Sequence, residues 1–206
     1  MRAAFFDLIG GASGNMLFGA FVDAGVDFDQ IVKILRTIPV DGWSIVRERT
    51  QRRGVEATYI DVIVPSEDDH KNPGCRTFPE IIAIFERSQL SSAQVARATT
   101  IAQRMARGPE MSFHPIGQID AIIDIAATCI AAEILDVQRF FCSAFPTGHA
   151  LPGMDMVTAT GAAILSTLVE RPGFRPDLRV ELSGYGAGRS DFPIPNVTRV
   201  EIGQLV

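Results

Sequence analysis

Asp120 and Asp124 stand four residues apart in "QIDAIIDIAATCIAAEILD" (118–136), a stretch that is apolar almost all round. On a helix this spacing puts both carboxylates on one face, and Thr128 continues it. Carboxylates on so apolar a helix are costly unless paired, hydrogen-bonded or bound to a metal. His114 lies just ahead in "FHPIG". Imidazole and carboxylate together suit a divalent transition metal. His70, in the acidic loop "EDDHKNPGC", completes a candidate metal set of His70, His114, Asp120 and Asp124. The bland alternative is a narrow polar stripe facing solvent or a neighbouring loop, with histidines that merely sit on the surface.

A second group opens the chain. In "FFDLIGGASGNM" (5–16) an apolar run ends in Asp7, and Gly10-Gly11-Ala12-Ser13-Gly14-Asn15 leads into an amphipathic pattern. A glycine turn that enters a helix presents free N–H groups and the positive end of the helix dipole, which favours an anion. The pattern is neither a Walker A motif nor a complete G-x-G-x-x-G. The glycines could equally make only a tight connection, and Asp7 could hold a metal or cap the loop. "SGYGAGRSDFP" (183–193) is a second glycine-rich segment, read as a turn. It offers Gly186, Gly188 and Arg189 as another wall of an anion pocket, or its glycines only bend the chain. The candidate catalytic groups are Asp7, His114 and Asp120. The candidate ligand-binding residues are Gly10, Gly11, Ser13, Gly14, Asn15, Gly186, Gly188 and Arg189. These groups meet only if the first strand and the 118–136 helix are neighbours.

The elements that must position them follow from periodicity and punctuation. Residues 2–6 read as a strand. Helices are expected at 14–24, capped by Ser13 and ended by Gly25, and at about 28–37, stopping before Pro39. Residues 43–49 and 55–64 read as a hairpin turning at Gly54. Residues 65–76 are a loop. Thr77 and Glu80 form a capping box for a third helix, and a fourth runs from about Ser92 to Arg107. The 118–136 helix is buried, "RFFCSAF" (139–145) is a strand, and "TGAAILSTLV" (160–169) is a helix capped by Thr158 or Thr160. "LRVEL" and "VTRVEI" close the chain as strands. Interleaved strands and helices predict one α/β or α+β domain around a mixed sheet, spanning 1–206.

Composition limits the function classes. The 206 residues carry a net charge of −5, which argues against general nucleic-acid binding. The one basic run, Arg47-Glu48-Arg49-Thr50-Gln51-Arg52-Arg53, reads as a solvated hairpin tip. Three widely spaced cysteines, Cys75, Cys129 and Cys142, give no disulfide framework and fit a reducing cytosol. The start has no basic, apolar leader, and no apolar stretch is long enough to cross a bilayer, so neither membrane nor export is expected.

Three stretches, "FFDLIGGASGNMLFGAFVDAGVD", "FHPIGQIDAIIDIAATCIAAEILDV" and "VTATGAAILSTLV…GYGAGRSDFPIPNVTRVEIG", resemble in content and order the N-terminal domain of the nickel-insertion proteins of the lactate racemase cofactor pathway. The resemblance implies insertion of nickel into a pyridinium bis-thiocarboxylic acid mononucleotide, with CTP and Mg²⁺ or Mn²⁺ as helpers. Asp7, Ser13, Gly14, Met16, His114, Gly117, Asp120, Asp124, Thr158, Thr160 and Gly161 match its motifs. Asn15 replaces a usual aspartate, Pro115 a glutamate and Ala159 a proline. "DDHKNPGCR" replaces a histidine-rich run, leaving His70 and Arg76. A proline-rich segment before "MDMVTATG" is absent, and the sequence ends before the C-terminal domain linked to CTP. These departures imply a separate subunit carrying that domain. A homo-oligomer is a further partner expectation. A non-catalytic paralogue that binds nucleotide or metal is the competing reading, and a small Mg²⁺-dependent phosphatase using Asp7 is a weaker one.

Overall fold

The computed structural model describes residues 1–64, 76–106, 118–146 and 156–206. Among these residues are seven strands and six helices: β1 (Arg2–Asp7), α1 (Gly14–Asp23), α2 (Phe28–Leu35), β2 (Ser44–Arg52), β3 (Val55–Ile63), α3 (Phe78–Glu86), α4 (Ser92–Ala106), α5 (Ile119–Ile134), β4 (Arg139–Cys142), α6 (Ala159–Leu168), β5 (Val169–Pro172), β6 (Leu178–Ala187) and β7 (Val197–Leu205). The strands form one mixed sheet in the order β2-β3-β6-β7-β1-β4-β5. This is the α/β architecture that the interleaving predicts.

Alternation along β1 separates the two faces. Ala4 and Phe6 join the main core with the helices, whereas Ala3 and Phe5 form a small cluster with Phe141 on the opposite face. The helices thus pack on one side of the sheet. α5 is the core of that layer, since every residue from Ala121 to Ala132 is buried. Cys129 and Cys142 are buried there as small hydrophobes, and burial pushes the Cys129 thiol up to about 12.

Local signals act as their chemistry requires. The β2–β3 turn places Arg53 at φ 49° and Gly54 at φ 87°, the two left-handed residues of a tight hairpin turn. Glu80 accepts from the Thr77 N–H at 2.6 Å and from its hydroxyl at 2.8 Å, closing the start of α3. Thr158 caps α6, its hydroxyl oxygen accepting from the Gly161 N–H at 3.2 Å.

Four expectations are corrected. Residues 183–187 are not a turn but the second half of β6. Their glycines bring the helix layer close, because a Cβ on Gly184 or Gly186 would overlap the α1 backbone at Ala20 or Met16. Ser13 occupies the cap position of α1, but its hydroxyl donates to Asn15 Oδ1 at 2.5 Å instead of capping. β4 ends at Cys142 rather than at 145, and β5, which has only four residues, gives no periodic signal. The basic run is not simply solvated: Arg49 pairs with Asp23, and Arg52 and Arg53 bond to a loop beyond β6.

Candidate functional site

β1, β3 and β6 run in the same direction, since β3 pairs parallel with β6 and both β1 and β6 pair antiparallel with β7. Outside their carboxyl ends lies a cavity of about 370 Å³. This is the position where open α/β sheets hold ligands. The loop after β1, the end of β3 and the loop after β6 each supply part of its wall.

Three helices also begin at this cavity. Ser13, Gly14 and Asn15 at the start of α1, Gln118 and Asp120 at the start of α5, and Thr158, Ala159 and Thr160 at the start of α6 all line it. The first N–H groups of a helix have no intrahelical acceptor and carry partial positive charge. Those of Gly14, Ala159 and Thr160 have no partner among the described residues.

The glycine loop before α1 has a different role from its end. The Gly10 N–H donates to Val197 O at 2.9 Å, the Gly11 N–H to Leu8 O at 3.2 Å and the Ala12 N–H to Met156 O at 2.7 Å. The Thr158 N–H returns to Ala12 O at 2.9 Å, and the Thr198 hydroxyl donates to Gly11 O at 2.6 Å. The loop is therefore stitched to chain on both sides, and its N–H groups are spent there. Gly11, at φ 105°, leaves no room for a Cβ against Met156. Gly10 and Gly11 thereby fix the entry of α1, and in this stretch Ser13, Gly14, Asn15 and Met16 line the cavity.

Asp124 is the most unusual group present. It is 8% exposed and lines the cavity, yet its Oδ1 has no hydrogen-bond partner among the described residues. The Asn15 backbone N–H lies on the side of this carboxyl and partly offsets its raised pKa. Gly14 makes the approach feasible, since a Cβ there would lie 2.5 Å from Asp124 Oδ2. Burial, then the charges of Asp120 and Asp61, pushes the Asp124 carboxyl well above the ordinary 3.8. Asp120 lies one helical turn away at the open side. It is exposed, but the cavity walls displace enough water to raise its carboxyl too, against the opposing bond from the Ala121 N–H at 2.8 Å.

The opposite wall carries a cation. Arg189 Nη2 donates to Asp61 Oδ1 at 2.7 Å and Oδ2 at 2.9 Å. Tyr59 and Asp61 raise the guanidinium further above its already high range, so it stays charged. Asn15 is held on the same side, its Nδ2 donating to Ile60 O at 3.1 Å. An ionised aspartate at that position has no proton to make this bond.

The structure thus brings together Ser13, Gly14, Asn15, Asp120, Asp124, Gly188 and Arg189 around one cavity. Asp7 is not among its lining residues: it accepts from Arg199 Nη2 at 3.0 Å. Gly186 lies beneath α1. His70 and His114 lie outside the described residues, as does His149. Among the described residues no three His, Cys, Asp or Glu side chains form a ready-made metal cage. Sequence reasoning missed Asp61, Phe192 and Asn196. Asp61 carried no distinguishing signal, since its strand also holds Glu56 and Thr58. Phe192 and Asn196 carried none.

The cavity therefore combines helix N-termini and an arginine, which suit anions, with three carboxylates, which suit a cation. Comparison with known proteins bears on what that combination serves. The family model described as nickel insertion protein matches residues 4–155 and 150–205. The two pieces meet where the sequence pattern lacks a proline-rich segment. A putative nickel insertion protein of Dictyoglomus thermophilum is 31% identical over 243 positions, covering 100% of this chain and 62% of the relative. One from Gloeobacter violaceus is 32% identical, covering 99% and 57%. A protein of Thermotoga sp. named pyridinium-3,5-bisthiocarboxylic acid mononucleotide nickel insertion protein is 32% identical, covering 100% and 62%. The chain spans about six-tenths of the length of these curated relatives. No solved structure matches it.

Proposed function

The chain belongs to the nickel insertion protein family, and on that premise we propose that its cavity holds a pyridinium-3,5-bisthiocarboxylic acid mononucleotide while nickel is inserted into it. One observation carries this reading: three helix N-termini, Arg189 and the buried Asp124, whose Oδ1 has no partner among the described residues, face a single cavity. Such a ligand is anionic at its phosphate and thiocarboxylates and cationic at its ring, and the ion adds two positive charges.

The phosphate takes the anion side, formed by Arg189, the Gly188 segment and the N–H groups at Gly14, Ala159 and Thr160. Asp120 and Asp124 take the ion, with His114 and His70 completing its set. Insertion forms two nickel–sulfur bonds and one nickel–carbon bond. The carbon–metal bond releases the ring proton, which a carboxylate of the same cavity accepts. Asp7 acts at a distance in this scheme, anchoring the end of β1 through Arg199. CTP with Mg²⁺ or Mn²⁺ acts on the part of the relatives that this chain does not span, whether on the same polypeptide or on a separate subunit. The reaction belongs in the cytoplasm, where free thiols and nucleotides coexist.

Calorimetric titration with nicotinic acid mononucleotide, a pyridinium nucleotide with one ring carboxylate, tests the ligand half. The account expects saturable binding that Arg189→Ala weakens by about tenfold or more, the scale of a lost charged hydrogen bond. A folded protein that does not bind, or an Arg189→Ala variant that binds equally, contradicts it.

A further inference from the structure

Phe192 is the one aromatic residue among the described residues that line the cavity. It lies on the 188–196 loop, whose neighbouring Asp191, Pro193 and Ile194 are exposed. Burial does not hold this loop; polar bonds do. Arg53 Nε donates to Phe192 O at 2.7 Å, and its guanidinium lies 3.5 Å from Asp191. Arg52 Nε donates to Gly188 O at 3.1 Å. Asn196 Nδ2 closes the loop on Ser190 O at 2.7 Å, and the Gly188 N–H donates to Asn196 O at 2.9 Å. An exposed loop tied at this many points is a preorganised wall, and preorganisation is what a binding surface gains from.

We infer that Phe192 is the platform on which the ligand's pyridinium ring stacks, and that it makes the cavity select cationic over neutral pyridine rings. The inference rests on the nucleotide reading above and deepens it. The face of a benzene ring carries negative charge density and attracts a cation laid over it. Asp61, Asp120 and Asp124 line the same cavity and favour a positive ring through charge as well. A dihydropyridine ring is neutral and not aromatic, so it gains neither interaction. The arginines of the β2–β3 turn thereby acquire a purpose that the charge pattern alone did not suggest: they set the platform in place.

The test compares oxidised nicotinamide mononucleotide, whose ring is a pyridinium, with its reduced form, whose ring is neutral. Affinities are measured by calorimetry for the wild type, Phe192→Leu and Phe192→Trp, with thermal melting to check each fold. The wild type binds the oxidised form more tightly. Phe192→Leu loses about tenfold in affinity for the oxidised form, the scale of a cation–π contact, and keeps its affinity for the reduced one. Phe192→Trp retains the preference, and the oxidised ligand quenches the introduced indole beyond any change at the buried Trp43. An unchanged oxidised-to-reduced ratio in Phe192→Leu overturns the inference, as does an unquenched indole. If the wild type binds both forms equally, the platform fails and the nucleotide reading survives. If it binds neither, both fail.

Discussion

Asp124 is held at a cost. Burial disfavours its ionised form, Asp120 and Asp61 repel its charge, and among the described residues the Asn15 N–H is the one group that offsets them. Because its folded pKa lies above the unfolded value, the native protein binds the extra proton. Stability from this group is then present below the ordinary 3.8 and is lost as pH rises toward the raised value. Asp124→Asn removes that loss. Thermal melting across pH should show the variant more stable than wild type at pH 8, by roughly 3 °C or more, with the gap closing near pH 4. A gap that is constant with pH, or a variant less stable at pH 8, contradicts the assignment. A carboxylate kept where it destabilises the fold points to use, since functional sites are where such costs are tolerated.

α1 lies directly on β6, and glycine makes that possible. A Cβ on Gly186 would overlap Met16 O, and one on Gly19 would lie 2.6 Å from Thr58 O. Since α1 carries Ser13, Gly14 and Asn15, this close crossing sets where its N-terminus points. Gly186→Ala should cost about 3 kcal/mol, as overpacking does, seen in thermal melting as a fall of roughly 10 °C; an unchanged melting temperature contradicts the packing account. These glycines also show where reading the sequence fell short. A glycine run looks the same whether glycine is needed to turn or to admit a neighbour, so "SGYGAG" predicts a turn where the chain through Ala187 is a strand under a helix. Signals that are local in their physics were legible: the capping box at Thr77 and Glu80, the Gly54 hairpin, the uniformly apolar α5. β5 was not, because four residues are too few to show a period.

The cavity is assembled from segments far apart in the chain: residues 13–16, 61–62, 118–124, 156–160 and 188–196. Sequence spacing named some members, such as Asp120, Asp124 and Arg189. It could not reveal that the sheet order β3-β6-β7-β1 carries the ends of β1, β3 and β6 to one side of the molecule. It also could not reveal Asp61 or Phe192, whose roles exist only through that convergence. The central claim is that this cavity receives nickel beside the nucleotide, with Asp124 on the ion. The most direct measurement is calorimetric titration of the metal-free protein with Ni²⁺ at pH 7.5, for the wild type and for Asp124→Asn. The account predicts saturable binding by the wild type and a loss of about tenfold or more in the variant, the scale set by removing one charged ligand, although the variant is the more stable fold. Equal Ni²⁺ affinity in the two proteins, or none in a folded wild type, would contradict it.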